Sequence, residues 1–212
     1  MGGPPGVSGY TRAAPSLSGP VGFLGGTFDP PHLGHVALAR TAVEALSLER
    51  LLVMVVAVPP HKAAVTDAEI RFRLATAAFE GVPRVELSRY EIERGGPSYT
   101  VETARWARGE FEDPVWIVGA DEFADFPTWR DPDGVLDNVR LAVATRPGYG
   151  RARLDEVLAG LRRPDRVTFF DLAPIPISSR DIRVRAGRGE SLEGLVPPLV
   201  ASEIEALGLY RA

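Results

Sequence analysis

The order of apolar and amphipathic segments predicts an α/β fold: one doubly wound, Rossmann-like, mostly parallel sheet of about six strands. Helices should cover both faces, and a helical segment should close the chain. Three observations predict this. From residue 21 onward, short apolar runs alternate with stretches of helical length and spacing. One run, LLVMVVAV at 51–58, is apolar at every position, as a strand covered on both faces must be. The first run, VGFLGGTF at 21–28, ends in glycines just ahead of a helix. In open α/β sheets, ligands bind beyond such carboxyl ends.

The elements follow in order. Residues 1–20 are Gly, Pro, Ser and Ala with scattered apolar residues; such a segment cannot bury enough apolar surface to offset its ordering entropy, and it reads as a disordered extension. Residues 21–28 form the first strand, and the Ala/Leu-rich 33–47 a helix. After the strand at 51–58 comes a helix at 67–80 with Thr66 or Asp67 as N-cap. VELSRYEI (85–92) reads as a strand and 99–108 as a helix. VWIVGA (115–120) and RLAVAT (140–145) are strands with a short helix between them. A helix at 152–162, a strand at 166–172 and helices at 179–187 and 197–207 complete the chain. Residues 21–212 thus read as a single domain.

Composition removes several function classes. The chain carries 24 Lys+Arg against 28 Asp+Glu, for a net charge of −4, with no basic stripe to follow a nucleic-acid backbone. It has no cysteine, which excludes disulfides, thiolate metal sites and a Cys nucleophile and fits a reducing, cytoplasmic setting. No apolar run approaches the ~20 residues of a membrane-spanning helix. The scarce residues are more informative. His32, His35, His61 and the single lysine, Lys62, all fall within residues 32–62, while the other 23 basic residues are arginine.

Gly25-Gly26-Thr27-Phe28-Asp29-Pro30-Pro31-His32-Leu33-Gly34-His35 follows the first strand. The glycines admit close approach of backbone to a ligand. His32 and His35, three apart, share a helix face. The helix N-terminus offers unpaired N–H groups to an anion, and Gly34 leaves room for a bulky ligand. Together they suit a polyphosphate. Alone, they also suit a zinc site completed by His61 and a carboxylate, or structural histidines. Near the C-terminus stands Ile177-Ser178-Ser179-Arg180-Asp181-Ile182-Arg183. Its serines suit a helix N-cap that binds phosphate, and Arg183 follows one turn later with a fork that fits phosphate oxygens.

The first string resembles the HxGH signature of the nucleotidyltransferase superfamily, and GGTFDPPHLGH in particular resembles the bacterial nicotinate-mononucleotide adenylyltransferases. The similarity continues through Pro59-Pro60-His61-Lys62, Ser98-Tyr99-Thr100-Val101-Glu102-Thr103, Gly119-Ala120-Asp121, Phe126-Pro127-Thr128-Trp129, Arg146-Pro147 and the ISSRDIR string, covering roughly residues 20–211. Arg130, where relatives often place Tyr or His, and Val55-Val56, where they carry a proline-containing segment, depart from the pattern.

The resemblance implies adenylyl transfer from ATP to nicotinate mononucleotide, giving nicotinate adenine dinucleotide and pyrophosphate in NAD synthesis. It implies catalytic roles for His32, His35 and Arg183. ATP would be bound by Gly25, Gly26, Thr27, Phe28, His35, Gly119, Asp121, Ile177, Ser178, Ser179 and Arg183. Nicotinate mononucleotide would meet Thr27, Lys62, Tyr99, Thr100 and Trp129, the last stacking on the pyridine ring or serving as a core aromatic. Mg²⁺ would enter bound to the phosphates, with no protein metal cage. Positive charge would come from His32, His35, Lys62, Arg183 and two helix N-termini. The alternatives are another HxGH transferase, acting on nicotinamide mononucleotide or phosphopantetheine, and a nucleotide-binding sensor without activity. A dehydrogenase is disfavoured because Gly25-Gly26-Thr27-Phe28 is not GxGxxG.

Overall fold

The computed structural model describes residues 19–60, 64–145 and 150–211. Six strands form one sheet: β1 (Val21–Gly26), β2 (Arg50–Val55), β3 (Val85–Ser88), β4 (Pro114–Gly119), β5 (Arg140–Thr145) and β6 (Val167–Asp171). Every pairing is parallel and the order is β3-β2-β1-β4-β5-β6. The chain therefore winds outward one way from β1 to β3, then returns past β1 to wind the other way. The crevice between β1 and β4 is the switch point, where two crossovers leave in opposite directions.

Nine helices accompany the strands among the described residues: α1 (Leu33–Ala45), α2 (Ala68–Phe79), α3 (Tyr90–Arg94), α4 (Thr100–Glu110), α5 (Ala120–Ala124), α6 (Pro132–Asn138), α7 (Arg151–Gly160), α8 (Ser179–Gly187) and α9 (Pro198–Ala206). Strand side chains alternate between two cores, as a period of two requires. Leu51, Val53 and Val55 face the core that holds α1, α2, α8 and α9, while Leu52 and Met54 face the core that holds α4 to α7. This is why the second strand is apolar throughout: neither face meets water.

Six strands stand where the sequence places them, with ends that differ by a few residues or not at all. One is corrected. The strand expected over 85–92 stops at Ser88, and Tyr90–Arg94 turns into the short helix α3. Both segments are amphipathic over so few residues that strand and helix periods cannot be told apart. The single short helix expected between β4 and β5 resolves into α5, a 3₁₀ turn at Phe126–Thr128 and α6. Asp67, not Thr66, caps α2, accepting from Glu69 N–H at 2.8 Å. No helix among the described residues is long and apolar enough to cross a membrane.

Candidate active site

A cavity of about 460 Å³ opens at the carboxyl ends of β1, β4 and β5. Its floor is the string that leaves β1: Gly25, Gly26, Thr27, Phe28, His32 and His35 all line it. Gly119 and Asp121 enter from the end of β4, and Ser179 and Arg183 from the start of α8. The topology makes this meeting possible, because α8 follows β6 yet crosses back to the β1 side. Ser179 Oγ donates to Pro30 O at 2.8 Å and Arg183 Nη1 to Asp29 O at 2.6 Å, across 149 and 154 residues of chain.

Gly25 and Gly26 present backbone to the cavity, and the structure adds why no side chain fits there. A Cβ on Gly26 would stand 2.6 Å from the Phe28 ring, and one on Gly25 would stand 2.8 Å from Trp116. Their side-chain space is filled by aromatic rings, and their backbone faces the cavity. Phe28, held at φ 50°, turns the chain so that its ring folds back beneath the strand end and meets His35 edge-on. Gly34 lines the cavity too, with the His32 ring close beside it. A Cβ there would lie 3.0 Å from Cε1 and Nδ1 of His32 and 3.7 Å from Ile175.

His32 and His35 do share one face, with ring centroids 3.7 Å apart. The N–H of His32, the N-cap of α1, donates to Nδ1 of His35 at 3.1 Å. That bond fixes the tautomer of a neutral His35: Nδ1 accepts, so Nε2 carries the hydrogen. The next N–H, of Leu33, donates to Leu195 O at 3.0 Å. Two donors that a bare helix start would offer an anion are thus engaged, and imidazole N–H groups stand in their place. Burial pulls the pKa of His32 down to about 4, so at neutral pH this ring is an uncharged donor and acceptor. Its Nδ1 is buried with no hydrogen-bond partner among the described residues.

Asp29, inside the first string but given no role by sequence reasoning, anchors the turn. It is 4% exposed; its Oδ2 accepts from the N–H groups of Val65 and Thr66 at 2.7 and 3.2 Å, and its Oδ1 from Tyr210 Oη at 2.8 Å. Ser178 caps α8, accepting from Asp181 N–H at 3.1 Å and donating to its carboxylate at 2.7 Å. Ser178 and Ile177 flank the cavity without lining it.

Tyr99, Thr100 and Trp129 are not part of this cavity wall. Tyr99 is the N-cap of α4 and Thr100 its first residue. Trp129 is half-buried, edge-on to Phe126 at 5.3 Å between centroids. Arg130 meets the start of α4: its guanidinium lies 4.4 Å over the Tyr99 ring and 3.5 Å from Glu102. His61, Lys62 and Arg146 lie outside the described residues, as do residues 1–18.

Known proteins resemble this chain in sequence and in fold. The cytidylyltransferase-like family model matches residues 23–185. A protein of Rubrobacter xylanophilus named "probable nicotinate-nucleotide adenylyltransferase" is 39% identical over 91% of this chain and 92% of its own length. A Bordetella petrii protein of the same name is 41% identical over 90% of this chain and 98% of its own. The solved nicotinic acid mononucleotide adenylyltransferase of Plasmodium falciparum shares the fold, with a TM-score of 0.72 at 14% identity over 91% of this chain and 97% of that one. The HxGH string, the serine-arginine helix and the cavity they enclose thus sit in a shared scaffold, and the chain belongs to the cytidylyltransferase-like family and, within it, to the nicotinate-nucleotide adenylyltransferases.

Proposed function

We propose that the chain joins MgATP and nicotinate mononucleotide, releasing pyrophosphate and forming nicotinate adenine dinucleotide in the cytoplasm. One observation carries the reading. Two chain segments about 150 residues apart, each opening a helix, bring imidazoles and a guanidinium to one cavity at the switch point. Such donors suit a triphosphate.

The nucleophile is the mononucleotide's phosphate, already anionic at neutral pH, so the step needs no protein base. Its oxygen attacks the α-phosphorus of ATP and pyrophosphate leaves with the electron pair. The protein's work is to hold two anions in line and stabilise the charge that moves to the leaving group. His35 donates through Nε2, and His32 joins it as a neutral ring that a bound phosphate would draw toward protonation. Arg183 and Ser179 grip the distal phosphates. The backbone of Gly25, Gly26, Thr27 and Phe28 floors the cavity, with Gly119 and Asp121 offering polar contacts to the nucleoside. Tyr99, Thr100, Trp129 and Lys62 receive the acceptor.

The donor set fits magnesium carried by the substrate. Among the described residues no group of three or more His, Asp or Glu could hold a metal ion, and the Asp29 carboxylate is already engaged by Val65, Thr66 and Tyr210. Mg²⁺ usually stays largely hydrated on phosphates, where it neutralises charge.

The test is pyrophosphate release from MgATP with nicotinate mononucleotide, nicotinamide mononucleotide or phosphopantetheine. The acid acceptor should be preferred. Preference for another acceptor reassigns the chain within the superfamily, and no turnover with any of them leaves a nucleotide-binding protein without this activity.

A further inference from the structure

Among the described residues, the most completely buried charged side chain lies outside the cavity. Arg71, in α2, is 1% exposed. Its Nε donates to Thr66 O at 2.9 Å, Nη1 to Thr27 O at 2.9 Å and Val56 O at 2.6 Å, and Nη2 to Ala57 O at 2.8 Å. One guanidinium thus gathers carbonyls from the turn after β1, the segment after β2 and the segment before α2. None of these lies within a strand, so the sheet ladder does not hold them.

The path continues from Ala57. Its N–H donates to Ser98 Oγ at 3.1 Å, while Ser98 N–H donates to Val58 O at 3.0 Å. Val58 and Pro97 form a parallel bridge there. Ser98 is 7% exposed and Glu91, in α3, 2%. Glu91 Oε1 accepts from Thr103 Oγ1 of α4 at 2.7 Å. Burial holds the Glu91 carboxyl above the ordinary carboxylate range, with hydrogen bonding from Thr103 and Ser98 pulling the other way.

We propose that Arg71, Ser98 and Glu91 are positioning residues for adenylyl transfer. Arg71 ties Thr27 to Ala57, Ala57 is bonded to Ser98, and Glu91 is bonded to Thr103, which together set the start of α4 against the triphosphate cradle. The proposal rests on the reading above, in which the acceptor lies at Tyr99 and Thr100 and ATP lies beside Thr27. In-line displacement needs the reacting atoms about 3–3.5 Å apart, and a misplacement of about 1 Å costs roughly 100-fold. The two half-sites stand on separate segments, so something must fix the gap between them. Buried polar side chains do this, because Arg71, Ser98, Glu91 and Thr103 have little water to turn to if they shift.

The test compares Ser98→Ala, Glu91→Ala and Glu91→Gln in the full chain. It combines steady-state kinetics per folded molecule, calorimetric MgATP affinity and thermal melting. Ser98→Ala and Glu91→Ala should each lower kcat/KM for the mononucleotide by about tenfold or more, a loss that misplacement accounts for. Affinity for MgATP should stay within about twofold, since the cradle itself is untouched. Glu91→Gln, which keeps the Oε1 acceptor, should restore most of the loss. If Glu91→Ala does not fold, Ser98→Ala carries the test. A lower melting temperature with both KM values and kcat unmoved would overturn the proposal, as would an equal loss of ATP affinity. A parent chain inactive with nicotinate mononucleotide overturns the functional reading and this proposal together. An active parent with unaltered variants overturns the positioning role alone.

Discussion

Tyr210 Oη donates to Asp29 Oδ1 at 2.8 Å, joining a residue two from the end of the sequence to the turn that leads into α1. The guanidinium of Arg183 holds the backbone carbonyl of the same aspartate. Near the chain terminus, where order is usually lost, Tyr210 is tied to the floor of the candidate site.

Tyr210→Phe removes one oxygen and leaves the Asp29 carboxylate with its two backbone donors. A hydrogen bond to a carboxylate contributes about 1.5–3 kcal/mol, and the lower end is expected because those donors remain. Urea unfolding should show the midpoint falling with an unchanged slope; a variant as stable as the parent would contradict a structural role for the contact.

His35 has two separable tasks. Its Nδ1 accepts from the N-cap N–H of α1, and in the proposed reaction its Nε2–H donates to the phosphates. His35→Ala loses both and should lower kcat by about 100- to 1,000-fold, the cost of removing an oxyanion donor of about 2.7–4 kcal/mol. His35→Gln can still accept the cap hydrogen bond. It should recover stability but little activity, which paired melting and turnover measurements will show.

Arg183→Ala should act on ATP more than on turnover of the bound complex. Charge-assisted contacts of about 1.5–3 kcal/mol correspond to a 10- to 100-fold weaker ATP complex. Calorimetry with a non-hydrolysable ATP analogue reads this directly, and unchanged affinity would remove Arg183 from the phosphate grip.

The pH dependence follows from His32, whose pKa burial lowers from 6.5 to about 4. The unfolded chain binds a proton there more readily than the folded one. The stabilising contribution is therefore complete above about pH 6.5 and is lost as pH falls toward 4, up to roughly 3 kcal/mol. Substituting His32 by Gln should flatten the stability profile over that interval. A bound triphosphate favours the imidazolium, so ATP binding near pH 6 should take up protons, seen as a calorimetric enthalpy that varies with buffer ionisation heat.

Gly34→Ala places a methyl 3.0 Å from the His32 ring. Alanine is favoured over glycine within a helix by about 1 kcal/mol, so stability should change little while the displaced imidazole lowers turnover. Full activity in this variant would show that the ring's position is not needed.

Much of this was legible in the chain itself. Local periodicity placed six strands along the chain, and the two strings at 25–35 and 177–183 marked both helix starts that meet at the cavity. It failed at 85–94, where four strand residues and five helical ones are too short for their periods to differ. Arg71 left a signal that went unread: it interrupts the buried stripe it shares with Leu74, Ala75 and Ala78, where a charge must be bonded if it is to stay.

By itself, then, the sequence determined the residue types at the site and the alternation that builds the sheet, because both are written in short-range spacing. Only the tertiary structure decided which groups meet and in what state. The strand order sets β1 beside β4 and returns α8 to Asp29 and Pro30. Burial makes His32 neutral, and aromatic rings occupy the space the glycines leave. Tyr210 and Arg71 reach backbone and carboxylate groups far along the chain. Desolvation and long-range hydrogen bonding depend on what the folded chain brings into contact, and no local pattern specifies that.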